Sequence, residues 1–131
     1  MKVLVKNIKV GFSQQCGGII ILESEKHCLR LFAVPPDAFF GLATVINKEE
    51  KPDCDKRMRL SEMLQLIIPK NTVSEVFING TIKTAFTADI TVNGETKQII
   101  PSVAVFLAKV LNVPIYFESD LAEETNNTMI V

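Results

Sequence analysis

Apolar and polar residues alternate from the start of the chain: Val3 and Val5, then Ile8 and Val10, separated by polar or charged positions. That period predicts a strand whose register slips near Asn7. "GFSQQCGG" then reads as a loop, and "IIILE" and "CLRLFAV" as two strands of a hairpin joined by "SEKH", with His27 at its tip. The period changes at "PPDAFFGLATVIN", where Ala38, Phe39, Leu42, Ala43 and Ile46 recur at helical spacing and Pro36 and Asp37 suit a first turn. A mixed-charge linker, "KEEKPDCDKRM", leads into a second helix from Arg59, "RLSEMLQLII", closed by Pro69 and Asn71.

The next stretch carries two Asn-Gly pairs, Asn79-Gly80 and Asn93-Gly94, each flanked by β-branched residues. Asn-Gly is the preferred pair for a two-residue type I′ turn, so a three-stranded antiparallel meander is expected. Tight turns fix the register: Ile78 faces Thr81, Phe77 faces Ile82, Val92 faces Glu95 and Ile90 faces Lys97. One face then carries Val73, Phe77, Ile82, Phe86, Ala88, Ile90 and Ile99 as a core layer. "IIPSVAVFLAKVLNVPIYF" follows as a third helix, with Val103, Leu107 and Val110 on one stripe and Asn112 before Pro114 as its stop, then "PIYF" as a buried strand. The acidic tail from residue 118 to 131 starts a short helix and then frays.

This pattern describes an α+β fold in a single domain over residues 1–131, with a mixed or antiparallel sheet, a β-meander and about three helices. At 131 residues, 47% of them hydrophobic and 22% charged, the chain is long and apolar enough to bury one core. A net charge of -1 gives no overall cationic field for nucleic acid or an anionic membrane. No signal peptide or spanning segment is legible, which points to the cytoplasm. Three cysteines (Cys16, Cys28 and Cys54) without a C-x-x-C spacing, beside one histidine, argue against a disulfide framework or a structural zinc site.

Few residues carry obvious chemistry. There is no Gly-rich phosphate loop, G-x-S-x-G elbow or histidine pair at metal spacing. Asp89 with Glu95 and Lys97 imitates the D…E-x-K arrangement of metal-dependent nucleases, but the expected register pairs Asp89 with Gln98 and points it away from the other two. The basic cluster "KRMR" stands beside Glu49, Glu50, Asp53 and Asp55, which reads more readily as a solvated linker than as a nucleic-acid footprint.

The order of elements resembles the bacterial bifunctional nuclease domain family, associated with DNase and RNase activity, across most of residues 3 to 124. "IIILE" matches the family's first apolar strand, and "LRLFAVPPDA" its second, with Asp37 where the family usually has Glu. Arg57 falls at the family's arginine ahead of the central helix and Glu62 at a nearby acidic position. "PSVAVFLAKVLNVPIYF" lines up with the helix that the family opens on Arg-Pro-Ser-Asp-Ala and runs to Pro-Ile-Phe. Two positions depart: the family's Arg is Ile100 here and its Asp is Val103.

The resemblance implies a nuclease acting on phosphodiester bonds of DNA or RNA, with Asp37, Arg57, Glu62 and Ser102 as candidate catalytic residues and a divalent metal such as Mg²⁺ as the conceivable cofactor. Asp37 would hold a metal or activate water, Arg57 would stabilise phosphate charge, and Ser102 would donate from a helix N-terminus. Each has a plainer role: Asp37 and Ser102 as helix caps, Arg57 as a solvated linker residue, Glu62 as a first-turn carboxylate. Loss of both signature charges fits an alternative, a catalytically silent module of the same fold that self-associates or binds a ligand. Exposed strand edges and the apolar fraction point to a homodimer.

Overall fold

The slip expected near Asn7 is a change of sheet. In the computed structural model, which describes residues 1–124 apart from 16, 49, 52 and 84, β1 (Lys2–Leu4) and β2 (Asn7–Ser13) belong to different sheets. Val5 donates its N–H to Ile115 O (2.8 Å) and Lys6 to Glu23 O (2.7 Å), so these two residues tie the sheets together. The loop expected over "GFSQQCGG" is shorter than it reads: β2 continues to Ser13, and β3 (Gly17–Glu23) begins at once on Gly17, whose φ of 72° suits a residue without a Cβ. The hairpin of β3 with β4 (His27–Val34) forms as its pattern indicates. His27 is the first residue of β4 rather than a free tip residue, its N–H bonded to Ser24 Oγ (3.0 Å) and its backbone paired with Glu124 of β9 (Glu123–Glu124). The four strands run in the order β2-β3-β4-β9.

The second sheet contains β5 (Val73–Ile82), β6 (Ala85–Val92), β7 (Glu95–Ile99) and β8 (Ile115–Glu118), in the order β1-β8-β5-β6-β7. It is mixed, because β8 pairs parallel with β5 and every other neighbour is antiparallel. The meander forms, but only its second Asn-Gly pair is a turn. Asn93 (φ 50°) and Gly94 (φ 81°) take the left-handed conformations of a type I′ turn, giving Val92↔Glu95 and Ile90↔Lys97. Asn79 and Gly80 instead lie inside β5 at a register irregularity, and the chain reverses after Ile82. Ile78 therefore faces Ala88 and Phe77 faces Asp89, contrary to the pairing expected from a turn at residues 79–80. The core layer changes with it: Val76 and Ile78 are fully buried while Ile82 is exposed.

Helices α1 (Pro36–Ile46) and α2 (Leu60–Ile67) match their sequence pattern, and α3 (Pro101–Leu111) ends at Asn112 in the left-handed conformation (φ 57°). Ala104, Val105, Phe106, Ala108 and Val110 are all buried, so α3 is covered on more than one side, against α1 and against β5 and β6. Small residues on its surface allow that approach. So does Gly41 of α1, where a Cβ would stand 2.9 Å from the Phe106 ring. One cluster of buried side chains joins both sheets to α1 and α3, with Phe117, Ile20, Leu22 and Leu42 among its fully buried members. Helix α2 contributes little to it: Leu64 packs against the cluster, while Leu60, Met63, Leu66 and Ile67 remain exposed.

A short 3-10 turn at Ser119–Leu121 forms the helical start of the acidic tail, and residues 125–131 lie outside the described residues. So does Cys16; Cys28 is buried, Cys54 exposed, and neither is in a disulfide. Among the described residues no helix is long and apolar enough to cross a membrane.

Candidate functional site

Both long helices begin on prolines and lack a side-chain cap: Pro35 precedes α1 and Ile100 precedes α3. The first intrahelical bonds, Phe39 N–H to Pro35 O and Ala104 N–H to Ile100 O (both 2.9 Å), leave the amides of the second and third positions unbonded. These are Asp37 and Ala38 in α1, and Ser102 and Val103 in α3. Helix α1 supplies its own anion, because Asp37 stands in the first turn; α3 has no acid there.

The starts of the two helices border a cavity of about 480 Å³. The end of β4 contributes Leu31, Phe32 and Val34, β6 contributes Phe86, and Ile100 and Ser102 close the side formed by α3. Its wall is almost wholly apolar. Ile100, 62% exposed, stands at the mouth. Ser102 is only 5% exposed, and its hydroxyl has no hydrogen-bond partner among the described residues. Val34 and Pro35 continue into a neighbouring hollow lined by Phe12, Phe39 and Phe40, whose rings pack at centroid distances of 6.3 Å and 5.2 Å. Phe12, Phe32 and Phe40 are all exposed, so an aromatic rim surrounds this side of the protein.

Of the four residues suggested by the family resemblance, Ser102 lines the cavity and Asp37, Arg57 and Glu62 do not. Asp37 is on the exposed first turn of α1, two residues beyond the lining residue Pro35. Arg57 is in the linker with its side chain 90% exposed, and its guanidinium clasps Asp55 through Nε to Oδ1 (2.9 Å) and Nη2 to Oδ2 (3.0 Å). These bonds hold the Asp55 carboxyl below the usual aspartate range and push the arginine higher still.

Glu62 is at the start of α2, where its carboxylate accepts the Arg59 N–H (2.9 Å) and pairs with Lys51 (3.0 Å). The backbone bond, with the Lys51 contact second, lowers its pKa. Lys51 also donates to Arg57 O (2.5 Å), so one ammonium stitches the linker to α2. Arg57 and Glu62 thus share a neighbourhood in which each already has a partner. Ser102 and Asp37 occupy two separate helix starts.

The other charge constellation stays divided. Asp89 pairs with Gln98 across the ladder, as the register requires, and accepts Asn79 Nδ2 (2.8 Å), while Lys97 and Glu95 contact each other at 3.5 Å. Among the described residues no three His, Cys, Asp or Glu side chains come together as metal ligands. The donor set that a divalent ion would need is therefore not assembled by Asp37, Glu62 or Asp89.

Reasoning from the sequence missed the cavity itself. Phe32 reads from the sequence only as a strand residue and Phe86 as part of the meander's core layer, whereas both line the cavity; the signal that could have exposed this is the cluster of aromatic residues at 32, 39, 40 and 86 around two uncapped Pro-initiated helices. No protein-family model matches the chain, and no curated protein is significantly similar to it.

Proposed function

We propose that this chain is a binding module with a nuclease-like fold, without nuclease activity, whose working surface is the apolar cavity between the starts of α1 and α3. The observation that carries this reading is the chemistry of the wall: aliphatic and aromatic groups line it, and Ile100 occupies its mouth. Phosphodiester hydrolysis needs a cation or metal on the phosphate and a base for water, and a cavity this apolar supplies neither. Pockets for small apolar ligands run to roughly 300–1,000 Å³ with a few polar groups for orientation, which suits this one.

Self-association belongs to the same proposal. Leu60, Met63, Leu66 and Ile67 place a stripe of large apolar side chains on the outer face of α2, and a net charge of -1 offers little repulsion between copies. A homodimer formed through this face would leave the cavity open. That neither Cys28 nor Cys54 is in a disulfide is consistent with a reducing cytoplasmic setting. The nuclease reading, with DNA or RNA as partner, keeps one observation in its favour: Asp37 and Ser102 stand at the second positions of two helices whose starts border one cavity.

The test is direct. Purified protein incubated with labelled single- and double-stranded DNA and RNA, in Mg²⁺, Mn²⁺ or chelator, is expected to cleave none of them. The same protein is expected to bind the apolar dye Nile red saturably, and Ile100→Asp, a change at an exposed position, is expected to weaken that binding at least tenfold. Cleavage abolished by Asp37→Ala or Arg57→Ala would establish the nuclease instead.

A further inference from the structure

Ser102 is a polar residue set in an apolar wall. Its oxygen is not sealed off from the cavity, so it can bond a group that enters. Here the hydroxyl lines the cavity at 5% exposure and lacks a partner among the described residues. Beside it are the amides of Ser102 and Val103, both without an acceptor among the described residues, and Pro101 ahead of them has no N–H to compete. Ser102 lines one end of an otherwise apolar cavity, and its hydroxyl and these two amides share the first turn, the positive end of an eleven-residue helix with no acid there.

We infer that this cavity takes a monocarboxylate with an apolar tail, its carboxylate on the Ser102 hydroxyl and the amides of Ser102 and Val103, its tail against Leu31, Phe32, Val34 and Phe86. The inference deepens the binding-module reading and rests on it. Charge selects the head group. A cation would meet the helix dipole head-on, whereas a carboxylate completes it. A phosphate dianion would ask for a compensating Lys or Arg, and neither residue type is present in the lining. A singly charged, planar acceptor matches two amides and a hydroxyl, and the apolar walls match only a ligand whose remainder is hydrocarbon.

Titration of the full chain at pH 7 with octanoate, octanol and octylammonium separates these features. The expected result is octanoate binding at least tenfold more tightly than octanol, no measurable octylammonium binding, and the largest amide shifts in nuclear magnetic resonance at Ser102 and Val103. Ser102→Ala is expected to weaken octanoate several-fold and to leave octanol unchanged. Val103→Asp, which places a carboxylate of the protein's own on the same turn, is expected to abolish octanoate binding while Nile red still binds; circular dichroism checks that both variants fold. Equal affinity for octanoate and octanol, or octanoate binding indifferent to Ser102→Ala, would overturn the inference and leave the binding module standing. Absence of Nile red binding by the unaltered protein would remove the module reading itself.

Discussion

Glu62, a catalytic candidate only through the family resemblance, serves the helix that carries it. Its carboxylate accepts the Arg59 amide and pairs with Lys51, so it offsets the unbonded N–H groups at the start of α2. Because its folded pKa lies below the unfolded value, its contribution to stability is present above the unfolded value and is lost as the pH falls through the folded one. Glu62→Gln is therefore expected to lower Tm at pH 7, and the gap from the unaltered protein is expected to close as acid protonates the native carboxyl. A thermal-melt series between pH 7 and pH 3 measures this; a gap that persists unchanged at the acid end would refute the assignment. Arg57 is similar, since the aspartate that engages it is only two residues earlier and was visible in the sequence as part of the same charged linker.

Two Asn-Gly pairs with similar flanks have different fates at the level of the element. Local preference favours a turn at both. At the first, it loses to tertiary pairing: Val76 to Ile78 are already committed to β8, β6 begins only at Ala85, and Asn79 finds partners in Asp89 and Thr87. The hairpin order, the Pro-initiated helices and the Asn112 stop were legible because they depend on neighbours in sequence. The split of the first strand between two sheets and the continuation of β5 were not, because they depend on a strand more than thirty residues away. The difference has a measurable consequence. Gly94→Ala places a Cβ at φ 81° and is expected to cost about 1–2 kcal/mol. Gly80 has no positive φ, and its added Cβ would meet only Thr87 Oγ1 at 3.3 Å, so Gly80→Ala is expected to cost less. Urea unfolding of the two variants compares them, and equal losses would contradict the observed placement of the turn.

At the scale of the whole molecule, the α+β class was readable from periodicity alone, whereas the candidate site was readable only as a set of positions. Ser102 was named for its place in a motif; its significance comes from Phe32 and Phe86, strand residues whose meeting with α3 no local pattern announces. The same limit hid the outer face of α2, whose apolar stripe looks like a core-facing stripe until the core is seen to lie elsewhere. If that stripe is an interface, light scattering at micromolar concentration is expected to give a dimer mass, and Leu66→Lys with Ile67→Lys a monomer mass at unchanged helicity. A monomer in the unaltered chain would rule the interface out.

The pairing of β1 with β8 also sets a timetable. Lys2 to Leu4 find their partners at Tyr116 to Glu118, and β8 in turn reaches β5 only after α3 has crossed over. During synthesis the three residues of β1 have no strand to join until Tyr116 to Glu118 have emerged. The hairpins of both sheets can form early because their contacts are local. The seam closed by β1 and β8 comes last, so a polypeptide cut short before residue 115 would carry Val76 and Ile78 uncovered along an open edge, in the form that aggregation and quality control recognise.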